Sequence, residues 1–125
     1  MRPLKDRCVV LGITGGIAAY KAADLVSRLK KMGADVKVIM TRSAAEFIAP
    51  LTLQSLSQNP VAMDMFEEPR SWEIRHISLA QSADVFVIAP CTANVIGKIA
   101  GGLADDLLTT TVMATKAPVL IAPAM

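Results

Sequence analysis

The segment Gly12-Ile13-Thr14-Gly15-Gly16 lies between the apolar run Cys8-Val9-Val10-Leu11 and the amphipathic stretch Ile17 to Met32. Strand, glycine turn and helix in that order open an α/β unit. The turn also presents backbone N–H groups and the positive end of a helix, which suits an anion such as the phosphate of a cofactor. Glycines at such turns serve close packing as well, so the loop alone leaves both readings open.

The rest of the chain keeps the alternation. Arg7 to Ile13 reads as the first strand. In the helix after it, Ala18, Ala22, Leu25, Leu29 and Met32 share one face, with Lys21, Asp24, Arg28 and Lys31 opposite, and Gly33 ends it. Asp35 to Met40 is the second strand. Thr41-Arg42-Ser43 comes next, with Ser43 placed to cap a short helix over Ala44 to Ile48 and Glu46 as its capping-box acid. Leu51 to Ser57 reads as helical after Pro50, Val61 to Met63 as a short strand, and Phe66 to Trp72, with Pro69 and several charges, as an exposed loop. A helix from His76 to Gln81 leads into the strand Asp84 to Ala89, which Pro90 stops. Thr92 to Ala100 and Asp105 to Thr115 are helices around the Gly101-Gly102 break, and Pro118 to Ala122 is the last strand.

This order implies one α/β domain over residues 1–125, doubly wound (Rossmann or flavodoxin-like), with a mainly parallel sheet and helices on both faces. Hydrophobic residues make up 53% and charged residues 19%, an apolar excess over typical soluble domains. Strands buried on both faces absorb part of it, and a subunit interface would absorb more. The net charge of +2 comes from scattered basic residues and gives no nucleic-acid signal. Cys8 and Cys91 form neither a disulfide framework nor a metal-ligand spacing, and a reduced, cytoplasmic setting is expected. No apolar run approaches membrane-spanning length, and residues 1–7 form a short polar lead without a signal-peptide core.

Ligands of doubly wound sheets sit beyond the carboxyl ends of the strands, near a switch point. That rule selects Gly12 to Gly16, Thr41 to Ser43, and Pro90 to Asn94. A dinucleotide fingerprint would place an acid after the second strand, roughly 20 residues beyond the glycines. Thr41-Arg42-Ser43 supplies none. Hydroxyls beside an arginine suit the 2′-phosphate of NADP, a single terminal phosphate or a ribityl chain, and also suit helix capping. In the third loop, Thr92 and Asn94 are placed to hydrogen-bond a polar ring or a phosphate. Cys91 sits where a helix N-terminus would favour a thiolate, though a small packed residue is the stronger reading there. His76, the one histidine, has a side chain able to exchange a proton near neutral pH.

Taken together, Gly12 to Lys21, Thr41-Arg42-Ser43-Ala44, His76, Pro90 to Asn94, Gly102 to Leu108 and Pro123-Ala124-Met125 resemble the homo-oligomeric flavin-containing cysteine decarboxylases. The resemblance runs through nearly the whole chain in the right order. It implies FMN as cofactor, with Gly15, Gly16 and Ile17 in the first flavin loop, Thr41 and Ser43 in the second, and Thr92, Ala93, Asn94 and Val95 in the third. Ala124 would line the flavin, and His76 would be the active-site histidine. The implied substrate is 4′-phospho-N-pantothenoylcysteine. Its thiol-bearing carbon is oxidised by FMN, the thioaldehyde loses carbon dioxide, and the electrons return to give 4′-phosphopantetheine. Assembly as a homo-oligomer, a trimer or trimers of trimers, is implied as well.

Three departures accompany the resemblance. Val95 stands where the family usually has threonine. An asparagine expected after Pro123-Ala124-Met125 and a later flap cysteine lie outside the sequence, so the domain reads as truncated at its C-terminal end. Within the same fold the alternatives are a flavin prenyltransferase or a peptidyl-cysteine decarboxylase, and from another class a non-catalytic flavin-binding subunit.

Overall fold

A computed structural model describes residues 2–63 and 77–124. In chain order these form β1 (Cys8–Ile13), a 3-10 turn (Ile17–Tyr20), α1 (Lys21–Lys31), β2 (Asp35–Met40), a second 3-10 turn (Ala44–Glu46) and α2 (Pro50–Ser57). Residues 77–82 are helical (α3), followed by β3 (Val85–Thr92), α4 (Ala93–Ala100), α5 (Leu107–Ala114) and β4 (Val119–Ala124). The strands pair in parallel in the order β2-β1-β3-β4. The path therefore leaves β1 towards one edge and β3 towards the other, so the sheet changes winding direction between β1 and β3.

Apolar side chains on both sides of β1 create a core on each face. Val9, Leu11 and Ile13 join Val36, Val38, Met40, Ala22 and Val26 on the α1–α2 side. Val10 joins Phe86, Ile88, Val95, Leu107 and Leu108 on the other, under α3, α4 and α5. The helices thus cover both faces, as the alternation of strands and helices implies. β4 is the uncovered part: Val119, Leu120 and Ile121 are all exposed.

Several boundaries differ from the sequence reading. The helix expected over Ile17 to Met32 divides into the 3-10 turn and α1, and its buried centre is Val26, while Met32 is exposed. Met32 lies past the last full turn. There Gly33 takes a φ of 95°, and Ala34 turns inward in its place, its N–H donating to the Leu29 carbonyl at 3.1 Å. The expected strand over Val61 to Met63 shrinks to one bridge, Ile39 with Ala62, held by two hydrogen bonds of 2.9 Å. The loop expected over Phe66 to Trp72 and the helix start at His76 fall outside the described residues; from residue 77 the helix runs through Ser82.

Pro90 does not stop β3. The strand continues to Thr92 because the ladder to β4 shifts register between Ile88 and Cys91, then resumes at Cys91 with Pro123 and Thr92 with Ala124. A proline N–H is not required at such an irregularity. β4 likewise runs to Ala124, beyond the expected Ala122.

The helix expected from Asp105 starts after a capping box at Asp106. The Asp106 carboxylate accepts the Thr109 N–H at 2.8 Å and the Thr109 hydroxyl accepts the Asp106 N–H at 3.3 Å. That cap lays Leu108 across β1 at Gly12, where any Cβ would overlap the leucine side chain. Gly12→Ala is expected to cost about 1–3 kcal/mol of stability through overpacking. Chemical denaturation of G12A, L108A and the double variant checks this: the Gly12→Ala penalty should shrink once Leu108 is shortened, and additive penalties would contradict the contact.

Candidate functional site

The turn after β1 meets the turns after β2 and β3 at the carboxyl edge of the sheet. The Thr41 N–H donates to the Ile13 carbonyl at 3.1 Å, and the Thr14 N–H donates to the Pro90 carbonyl at 3.2 Å. Thr14 is fully buried. Its hydroxyl donates to the same Pro90 carbonyl at 2.7 Å and accepts the Thr92 N–H at 3.0 Å. Three loops far apart in sequence are thereby held together around the winding change.

The glycines of the first loop have separate duties. Gly12 admits Leu108. Gly15 lies against Ser43, where a Cβ would overlap the serine Cβ and come within 2.9 Å of its carbonyl carbon. Gly16 is extended, at φ −178°, and a Cβ there would meet only the Thr92 methyl at 3.8 Å. Two of the three glycines therefore answer packing demands inside the protein, and the third has room beside it. The Gly15 and Gly16 amides have no acceptor among the described residues.

In the second loop the cap is Thr41, not Ser43. The Thr41 hydroxyl accepts the Ala44 N–H at 3.1 Å, whereas Ser43 makes no side-chain capping bond. Ser43 already has helical backbone angles (φ −63°, ψ −37°), unlike a capping residue, which is usually extended. Its hydroxyl is exposed and without a protein partner among the described residues. In the third loop Thr92 caps α4, its hydroxyl accepting the Val95 N–H at 3.5 Å. Ala93 and Asn94 are exposed in the first turn, while the Val95 side chain is buried in the core. Only the backbone of Val95 faces the loop's hydrogen bonding.

Ile17 is exposed beside Gly16, and Ala124 is paired with Thr92 at the end of β4. Ala18 and Ala124 also line an apolar cavity of about 240 Å³ between α1 and the ends of β3 and β4, with Lys21 as its one charged side chain. His76 lies outside the described residues. Cys91 is fully buried, and burial pushes its thiol above the ordinary value of 9.0; it is a packed residue rather than an exposed thiolate. Thr14 escaped the sequence reading, although a hydroxyl ahead of paired glycines and a proline at the end of a neighbouring strand were both visible. Their juxtaposition depends on the β1–β3 pairing.

The donors gathered here are the Gly15 and Gly16 amides, the Ser43 hydroxyl and the Asn94 side chain, with no carboxylate among residues 14–17, 41–43 or 92–95. Such a set suits a phosphate and a polar ring. The fold is thus a doubly wound α/β domain whose candidate site lies at the switch point. A family model described as Flavoprotein matches residues 1–125, and the chain belongs to that family.

Among relatives, the chain is 56% identical over 122 residues to the coenzyme A biosynthesis bifunctional protein CoaBC of Bacillus subtilis (strain 168), covering 98% of this chain and 30% of that protein. It spans less than a third of the curated relatives it matches. Of solved structures, the FMN-dependent cysteine decarboxylase SpaF superposes with a TM-score of 0.87 at 30% identity, covering 98% of this chain and 70% of that one. A PPC decarboxylase mutant complexed with pantothenoylaminoethenethiol gives a TM-score of 0.76 at 33% identity, covering 97% and 68%.

The two loop glycines separate packing from ligand approach. Gly15→Ala is expected to cost about 1–3 kcal/mol because the Ser43 backbone opposes it, whereas Gly16→Ala should stay within about 1 kcal/mol of the parent. Denaturation midpoints check both, and equal penalties would contradict the assignment. Since the thiol of Cys91 is raised in the fold, the stability its neutral form contributes is present below pH 9.0 and lost as pH rises beyond it. Cys91 is accordingly expected to resist iodoacetamide at pH 8 in the folded protein and to react after denaturation, as mass spectrometry of the modified peptide would record.

Proposed function

We propose that this chain is the FMN-binding domain of a phosphopantothenoylcysteine decarboxylase, converting 4′-phospho-N-pantothenoylcysteine to 4′-phosphopantetheine in coenzyme A biosynthesis. The observation that carries the reading is the convergence of three ligand-suited loops on one switch point, in a chain 56% identical to a CoaBC protein. The acid-free second loop also supports a mononucleotide over a dinucleotide.

In this reading the backbone of Gly15, Gly16 and Ile17 and the Ser43 hydroxyl hold the phosphate of FMN. Thr41 contributes by ordering the second loop through its cap on Ala44. Thr92, Ala93, Asn94 and the Val95 backbone bound the third side, with Asn94 as the polar side chain facing the ligand, and Ala124 lines the apolar side. Bound FMN supplies the two-electron redox chemistry that makes a cysteinyl carboxylate able to leave as carbon dioxide. His76 exchanges a proton with the substrate, a role suited to imidazole near neutral pH.

The reading extends to a cytoplasmic homo-oligomer, a trimer or trimers of trimers. Its support is the exposed apolar strand β4, with Val119, Leu120 and Ile121 at 36%, 58% and 39% exposure. Both cysteines are free thiols. A second reading, a cysteine decarboxylase with a different cysteinyl substrate, is favoured by the higher TM-score to SpaF.

The intact protein is expected to purify yellow, with an oxidised-flavin spectrum released as FMN on denaturation. His76→Asn should keep the flavin and lose decarboxylation by about 100-fold or more, in the range of general acid–base effects. Carbon dioxide release from 4′-phospho-N-pantothenoylcysteine and from peptides ending in cysteine separates the two readings. Colourless protein that takes up no FMN would contradict both.

A further inference from the structure

We infer that Thr14 is the positioning residue of this site: its buried hydroxyl fixes the first loop against the third and so sets the spacing between Gly16 and Asn94. The inference rests on the proposed flavin function and deepens it.

The backbone ladder between β1 and β3 pairs Val9 to Gly12 with Val85 to Ile88. Two residues further along, β3 offers Pro90, which has no N–H to continue a ladder. The Thr14 backbone and side chain together bridge the strands there. The Thr14 N–H and hydroxyl both donate to the Pro90 carbonyl, and the hydroxyl oxygen accepts the Thr92 N–H. One hydroxyl acts in both directions between the strands, standing where a backbone carbonyl would otherwise receive Thr92.

Both sides of this clamp lead directly to the ligand loops. Thr14 precedes Gly15 and Gly16, and Thr92 caps the helix that begins at Ala93 and Asn94. The Thr92 methyl also lies beside Gly16, 3.8 Å from the position of a Cβ. A shift of Thr92 relative to Thr14 therefore changes the gap at Gly16 and the approach of Asn94 together. Valine at position 14 keeps the shape but leaves the half-buried Thr92 N–H without its acceptor, so the two loops must move apart or admit water. Serine retains both bonds.

The test uses the intact protein stripped of flavin, titrated with FMN by fluorescence quenching, for the parent, T14S, T14V and S57A. Ser57 is a second fully buried hydroxyl, bonded at 3.2 Å to the Asn59 backbone away from the three loops, and controls for loss of stability alone. T14V is expected to bind FMN at least about tenfold more weakly and to shift the visible spectrum of the bound flavin. T14S should remain within about threefold of the parent, and S57A should melt lower yet bind as the parent does. T14V binding within threefold of the parent would overturn the inference. If T14V does not fold, T14C, with a weak donor and acceptor in place of the hydroxyl, carries the same expectation. If the parent takes up no FMN, the flavin reading fails separately, and amide exchange decides the clamp. The amides of residue 14 and Thr92, which bond across the clamp, should then exchange faster in T14V or T14C than in T14S, and unchanged protection there would overturn the inference.

Discussion

One buried hydroxyl carries the junction on which the rest of the fold turns. β1 and β3 are the central strands of the sheet, and the chain winds outward from them in opposite directions. Where their ladder runs out, at Pro90, the Thr14 side chain continues it by bonding to Pro90 and Thr92. Those bonds set the position of the first turn relative to the third. The second turn is placed by another route, through the Thr41 N–H on the Ile13 carbonyl and the close approach of Gly15 to Ser43. Three turns that share no local sequence are built into one rim by four hydrogen bonds and one glycine contact.

That arrangement alters what a glycine-rich turn signifies. In the sequence, Gly12, Gly15 and Gly16 look equivalent, and a phosphate reading draws on all three. In the fold, Gly12 gives way to Leu108 and Gly15 to Ser43, leaving Gly16 as the position with space in front of it. Packing accounts for Gly12 and Gly15, and the open space at Gly16 is what the ligand reading requires. The packing glycines let α5 close on the first strand and the second turn close on the first turn.

The architecture was legible because parallel strands buried on both faces leave continuous apolar runs, and the runs over 8–13 and 85–89 are of that kind, while Asp35 and Lys37 interrupt the edge strand over 35–40. The features that escaped depend on partners remote in sequence. Met32 falls on the apolar side of an extended helical wheel, yet the helix ends before it and Ala34 takes the buried place. Pro90 has the local signature of a strand end, and only its neighbours reveal a register shift that tolerates it. Ser43 has the residue type of a cap, but the backbone before it lets Thr41 reach the Ala44 N–H instead. Val95 belongs to the third candidate loop by motif, whereas helical geometry turns its side chain into the core. Asn94 and Ile17, which the motif also singles out, are both exposed at the rim.

The central claim is that the three turns form one cradle for FMN, phosphate end at the first loop and ring side at the third. A crystal structure of the protein with FMN tests it most directly. The phosphate is expected within hydrogen-bonding distance of the Gly16 amide and the Ser43 hydroxyl, with Asn94 against the ring or ribityl chain. A phosphate bound away from the Gly15–Ser43 contact, or a ring that leaves Thr92 and Asn94 untouched, would contradict it.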